Sequence, residues 1–166
     1  MQRQIISTFE EHLEFAQFWH DLLGSQPARS YLAEYKAEKL RVKLANQQIS
    51  PDSALRELQE IKKIDERNSV VLDLIKKVEI HQELEEINKL VKSRRYEEMV
   101  ELARRSRHEQ VRYNVAEFII DALINAVDNG DLRNPEIMQQ LGRWAYKICP
   151  NEPAFQEVYR LLGLQY

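Results

Sequence analysis

The sequence predicts an all-α fold: a stack of antiparallel helical hairpins, about eight or nine helices in all, forming an α-solenoid-like array or an irregular helical bundle. Three observations carry this expectation. Four Gly and five Pro in 166 residues leave little turn chemistry for strand hairpins. Leu, Glu, Ala, Lys, Arg and Gln, all good helix formers, dominate. Apolar residues recur at helical spacing, and the chain is punctuated at short intervals by caps and stops. A chain of this length can bury roughly two-thirds of its unfolded surface without a disulfide or metal staple. No linker or low-complexity tract interrupts it, so 1–166 is expected to form a single all-helical domain.

Ser7 with Glu10 forms a capping-box pattern, and Phe9, Leu13, Ala16, Trp19 and Leu23 follow at helical spacing up to Gly24, predicting a first helix over about 8–23. Phe15, Phe18 and Leu22 add a second apolar stripe beside the first, leaving Glu10, Glu14, Gln17 and Asp21 as a narrow polar strip. Such a helix needs cover on two sides. Pro27 suits the first turn of a second helix running to about Gln48, and Ser50 with Pro51 supplies the cap and first residue of a third over about 51–63.

After a short connection at 64–68, Val70, Val71, Leu74, Ile75 and Val78 share one face, whereas Ile80, Leu84, Ile87 and Val91 lie on roughly the opposite one. Two helices joined near Glu79 to Gln82 account for the switch, and so does one long helix bridging two layers. Tyr96, Met99, Val100 and Ala103 mark the next helix. Val111 to Val127 is apolar almost all round and is the expected centre of the core, ended by Asn129 and Gly130. Asn134 and Pro135 start a helix with Ile137, Leu141, Trp144 and Ile148 inward. Pro150 and Pro153 force a turn before a final helix carrying Phe155, Val158, Tyr159 and Leu162.

The only cysteine, Cys149, excludes an intramolecular disulfide and a cysteine-based zinc site, and fits a reducing, cytoplasmic setting. The N-terminal segment has neither the charged start nor the apolar run of a signal peptide, and no stretch approaches the ~20 apolar residues of a membrane span, so no membrane partner is expected. A formal charge of −3 disfavours a nucleic-acid binder acting through its whole surface, while leaving room for a local basic patch.

Arg95-Tyr96-Glu97-Glu98 followed by Leu102-Ala103, and the run from Ala145 to Pro150 followed by Asn151, resemble tetratricopeptide-type helical hairpins: a tyrosine-led second helix in one case, a small-residue helix with a terminal proline in the other. Met99 and Met138 stand where that repeat prefers small residues, and the starts near Pro51, Tyr96 and Pro135 are unequally spaced. The resemblance implies a degenerate hairpin stack in the style of helical repeats, and with it a protein-binding surface.

His12 and His20 fall within the broad apolar arc of the first helix, but eight residues separate them by about 12 Å along the axis, too far to share an ion, so hydrogen-bonded histidines are the expected reading. His81 and His108 have no Glu-x-x-His or His-x-x-x-His companion. Asp128, Gly130 and Asp131 superficially resemble a calcium loop but lack its alternating ligands and closing Glu. No phosphate loop, nucleophile elbow or paired-carboxylate pattern occurs, and no catalytic, cofactor or metal residue is assigned.

Two basic features remain. Arg29, Lys36, Lys39 and Lys43 share a face of the second helix, and Lys92, Arg94, Arg95, Arg104, Arg105, Arg107 and Arg112 crowd the region around Tyr96 to Ala103, partly neutralised by Glu97, Glu98, Glu101 and Glu109. The commoner outcome of such clusters is a solvated, salt-bridged surface.

The sequence therefore points to a non-enzymatic adaptor or assembly module binding a protein partner or itself, as a homo-oligomer, through Phe15, Phe18, Trp19 and Leu22. The alternative is a small helical subunit of a nucleoprotein complex touching phosphates through Arg94, Arg95, Arg104, Arg105 and Arg107. An enzyme whose site residues converge only in three dimensions is the third class.

Overall fold

The computed structural model describes the backbone of residues 2–128 and 135–163, and the side chains of 11–127 and 135–163. These residues are all-helical: α1 (Gln2–Leu23), α2 (Gln26–Ala45), α3 (Pro51–Ile64), α4 (Ser69–Lys92), α5 (Tyr96–Arg105), α6 (Glu109–Asp128), α7 (Pro135–Ile148), a 3-10 turn (Pro153–Phe155) and α8 (Gln156–Leu161). The stops at Asn129 and Gly130, the Asp128 to Asp131 run and the cap at Asn134 lie outside the described side chains. The chain divides into two compact units, Met1–Gln82 and Glu83–Tyr166.

In the first unit, short connections force successive helices to run antiparallel, and cross-helix bonds register the pairing. His12 of α1 meets the Tyr35 hydroxyl of α2 at 3.1 Å, and Gln82 of α4 donates to Asp52, in the first turn of α3, at 2.6 Å. The core is the cluster that α2 (Ala33, Ala37, Leu40), α3 (Ala54, Leu58, Ile61) and α4 (Val71, Leu74, Ile75, Val78) build between them. Alanines on α2 let the neighbouring helices approach closely, and the leucines fill what remains.

Local chemistry sets the element ends. Ser50 caps α3, its Oγ accepting the Ser53 N–H at 3.3 Å, with Pro51 in the first turn as expected. The α2 helix closes two to three residues earlier than the periodicity suggested. Gln47 turns into the left-handed region at φ 56°, and the N–H groups of Gln47 and Gln48 cap the carbonyls of Leu44 and Lys43 at 3.0 and 2.9 Å. In contrast, α1 begins at Gln2, so Ser7 lies within the helix. A serine can cap a helix but does not forbid its continuation, and nothing between Gln2 and Ser7 breaks it.

The switch of apolar face after Val78 belongs to one uninterrupted helix, α4. Its first half gives Val71, Leu74, Ile75 and Val78 to the core of the first unit. Its second half, from Glu83 on, belongs to the second unit, where Ile87 is buried and Glu83 accepts a bond from Ser106. It ends where Arg94, at φ 56°, and Arg95 cap Val91 and Leu90 at 3.0 and 2.9 Å, the same motif that closes α2.

The second unit packs α5, α6 and α7 against one another, with the 3-10 turn and α8 following on α7. Val111, Val115, Ala116, Ile119, Ile120 and Leu123 make α6 the largest contributor of buried side chains there. Its apolar surface is not covered all round, because Phe118, Ile124 and Val127 are exposed. On α7 the buried line is Gly142, Ala145 and Ile148, with Leu141 and Trp144 half-buried and Ile137 exposed rather than inward. Phe155 and Tyr159 close the unit, Tyr159 donating its buried hydroxyl to the Cys149 carbonyl at 3.1 Å.

Candidate protein-binding surface

The first apolar stripe of α1 is split, because Trp19 and Leu23 stand exposed with the whole of the second stripe. Ala16 is fully buried and Leu13 half-buried toward the rest of the first unit, whereas Phe15, Phe18, Trp19, Leu22 and Leu23 are 55, 58, 37, 62 and 57 % exposed. Helical spacing groups these five within little more than two turns. The aromatics touch one another edge to face, Phe15 with Trp19 at 5.9 Å and Phe18 with Trp19 at 5.7 Å between ring centroids. Each ring's positive edge meets a neighbour's negative face, so they stand as one cluster instead of separate flexible side chains.

The polar rim is satisfied locally. Gln17 and His20 each bond Asp21, at 2.8 and 3.0 Å, and the His20 bond chiefly holds the Asp21 carboxyl below its ordinary range. His12 stacks on Tyr35, which in turn leans on Tyr31 with centroids 4.6 Å apart. Both α1 histidines are thus engaged with side chains, and among the described residues no group of three or more His, Cys, Asp or Glu is placed to hold a metal ion.

The arginines singled out in the sequence are arranged differently. Arg95 pairs with Glu98, Arg104 bonds Glu101 at 3.1 Å, and Arg105 lies 3.9 Å from the same carboxylate. Lys147 of α7 also bonds Glu101, and its bond more than that of Arg104 lowers the Glu101 carboxyl's proton affinity. Arg94 occupies the left-handed cap position of α4, and Arg107 donates toward His108 at 3.5 Å. On α2, Lys36, Lys39 and Lys43 border a 320 Å³ groove against α3, where Glu57 and Glu60 face them, while Arg29 is bonded to Gln26 at 3.1 Å.

One polar cluster gives no sequence signal beyond the Ser-x-His step at the end of α5. Ser106 and His108 are buried; the Ser106 hydroxyl donates to Glu83 and accepts the His108 N–H at 3.0 Å, the His108 ring lies 3.9 Å from Glu83, and Arg112 donates to the Ser106 carbonyl at 2.7 Å. The Ser106–Glu83 bond fastens the α5–α6 turn to α4. Burial raises the Cys149 thiol's proton affinity, the opposite of what a reactive cysteine needs.

No helix among the described residues is long and apolar enough to cross a membrane. No protein-family model matches the chain, and comparison with curated proteins and with solved structures finds no match. The hairpin resemblance rests on the residues themselves: Tyr96 opens α5 but is exposed, and Ala145 lies fully buried one turn before α7 ends at Ile148.

Proposed function

We propose that the chain is a non-enzymatic protein-interaction or assembly module that acts in the cytoplasm and binds through the aromatic face of α1. The observation that supports this is the contiguous exposure of Phe15, Phe18, Trp19, Leu22 and Leu23 on one helix. Exposed apolar side chains scattered singly are ordinary, whereas a contiguous aromatic group rimmed by polar residues is what interaction sites present to solvent. The pairing of Arg95, Arg104 and Arg105 with glutamates of their own helix favours this reading over phosphate contact. The single cysteine accords with a reducing compartment.

Phe15→Glu with Phe18→Glu tests it. The doubly substituted chain should keep its helical circular dichroism and melting temperature and lose the associations that the wild type makes, whether with itself or with a host protein. Unfolding of the variant, or retention of every association, would defeat the reading.

A further inference from the structure

We infer that the groove between α2 and α3 is a protein-binding site distinct from the aromatic face of α1, and that its occupant is an amphipathic helix of a partner protein, with carboxylates along one edge of its apolar ridge and a basic residue along the other. The inference does not depend on the reading of α1.

The groove has three parts. Its floor is apolar, made by Leu40 of α2 and Ile61 of α3. One wall is Lys36, Lys39 and Lys43, which recur at i, i+3 and i+7 on α2 and therefore stand in a row on one side of it. All three are half-buried. A lysine in that position lays its methylene stem against apolar surface and lifts its ammonium to water, so the stems extend the apolar lining and the charges mark the lip. The opposite wall is Glu57 and Glu60 of α3.

The two walls do not neutralise each other. Glu60 is held at 2.6 Å by Lys63 of its own helix, and among the described residues Lys36, Lys43 and Glu57 form no ion pair. Lys36 acts on Asp21 of α1 through charge alone, because that carboxylate is bonded by His20 and Gln17. A gap of 320 Å³ keeps the walls apart and leaves their charges facing whatever enters it.

Charge complementarity specifies the occupant. A helix laid in a groove turns its apolar ridge to the floor and one edge to each wall. Lys36 and Lys43 stand two turns apart, about 10.5 Å along α2, so carboxylates seven residues apart on the incoming helix match them in step. Walls of opposite sign demand edges of opposite sign, and this fixes the direction in which the helix lies. A nucleic acid fits less well, since Glu57 and Glu60 confront any phosphate that the lysines draw in.

The probe is a fluorescently labelled, end-capped helical peptide of about 16 residues, long enough to hold helix when rich in alanine. It carries leucines at i, i+3 and i+7, two glutamates seven residues apart on one edge of that ridge, and a lysine on the other. Fluorescence anisotropy with the full chain should show binding, and Lys36→Glu with Lys43→Glu should weaken it by about ten-fold or more, because each attraction becomes a repulsion. Replacing the peptide's glutamates with lysines should restore affinity for the doubly reversed chain and remove it for the wild type.

Absence of binding at about 1 mM protein, the weak limit of specific association, overturns the inference. Affinity that survives the double reversal does the same. Equal affinity for a peptide whose leucines are replaced by glutamine, or for single-stranded RNA, would show a lysine row attracting any anion and would overturn the docking of a helix. Circular dichroism accompanies every variant. If the double reversal disturbs the fold, Lys36→Gln with Lys43→Gln, which removes the charges and keeps most of each stem, takes its place: a loss of roughly several-fold supports the site, and an unchanged affinity overturns it.

Discussion

Asn68 and Ser30 meet across 38 residues of sequence, the Asn68 amide donating to the Ser30 Oγ at 2.9 Å, while the carbonyl oxygen of the same side chain accepts the N–H groups of Val70 and Val71 at 3.1 Å. The amide also reaches Glu34 at 3.2 Å. One buried side chain thereby caps α4 and ties it to α2, spending its donors and its acceptor together.

Asn68→Ala should destabilise the first unit by about 2–3 kcal/mol, the sum of a lost cap and a buried pairing left open. Asn68→Ser, which keeps an acceptor for the cap but cannot span to Ser30 and Glu34, should fall between the two. Urea unfolding gives the order; an alanine variant within about 0.5 kcal/mol of wild type would show that solvent replaces these bonds without loss.

The contrast between Asn68 and its surroundings shows how much the sequence disclosed. Periodicity identified every helix, and the pairing of Ser50 with Pro51 located the start of α3, because both signals are local. The reversal of face between Val78 and Ile80 was visible too, but whether it marked a break depended on what each half of α4 packs against, which is not local. The ends at Gln47 and Arg94 were illegible because neither is the glycine that usually occupies a left-handed cap. Exposure of Phe15 and Phe18, and burial of Ala16 beside them, are decided by where α2 lies and not by α1 itself.

Asp65 makes the first unit sensitive to acid. Burial alone would raise its pKa, but hydrogen bonds from Ser30, Gln26 and the Arg67 backbone outweigh that and hold the carboxyl below its ordinary value. A folded pKa below the unfolded one, ~3.9 for Asp, means that the contribution to stability is fully present above about pH 5 and lost as pH falls through the folded value. Asp65→Asn should therefore narrow the stability difference between pH 7 and pH 3. Parallel slopes for variant and wild type would contradict the assignment.

Gln47→Gly and Arg94→Gly should each stabilise the protein. A non-glycine residue in the left-handed region costs about 1–2 kcal/mol, partly returned as glycine's greater freedom in the unfolded chain, so the expected net gain is a few tenths to about 1 kcal/mol per site. Thermal or urea unfolding of the single and double variants checks both the sign and the additivity. A loss of stability at either position would mean that its side chain makes contacts worth more than the backbone strain.

Glu101 governs whether α5 can attract a polyanion. Its carboxylate bonds Arg104 at 3.1 Å and Lys147, and Arg105 lies 3.9 Å away, so three cations converge on one anion on an exposed surface. Phosphate binding by the wild type would have to draw these cations from a partner already in place, and each phosphate then gained releases counterions and steepens the dependence on salt. The wild type should accordingly show little retention of single-stranded RNA or duplex DNA at physiological ionic strength. Glu101→Gln removes the competitor while leaving the cations, and it should raise polyanion affinity with a salt slope steeper by about 0.9 for each cation freed toward duplex DNA. Arg104→Ala with Arg105→Ala in the Glu101→Gln background should take most of that gain away. A wild type that already binds tightly, with a slope that Glu101→Gln leaves unchanged and the arginine substitutions flatten, would instead restore the nucleoprotein reading and show that the glutamate pairs yield readily to phosphate.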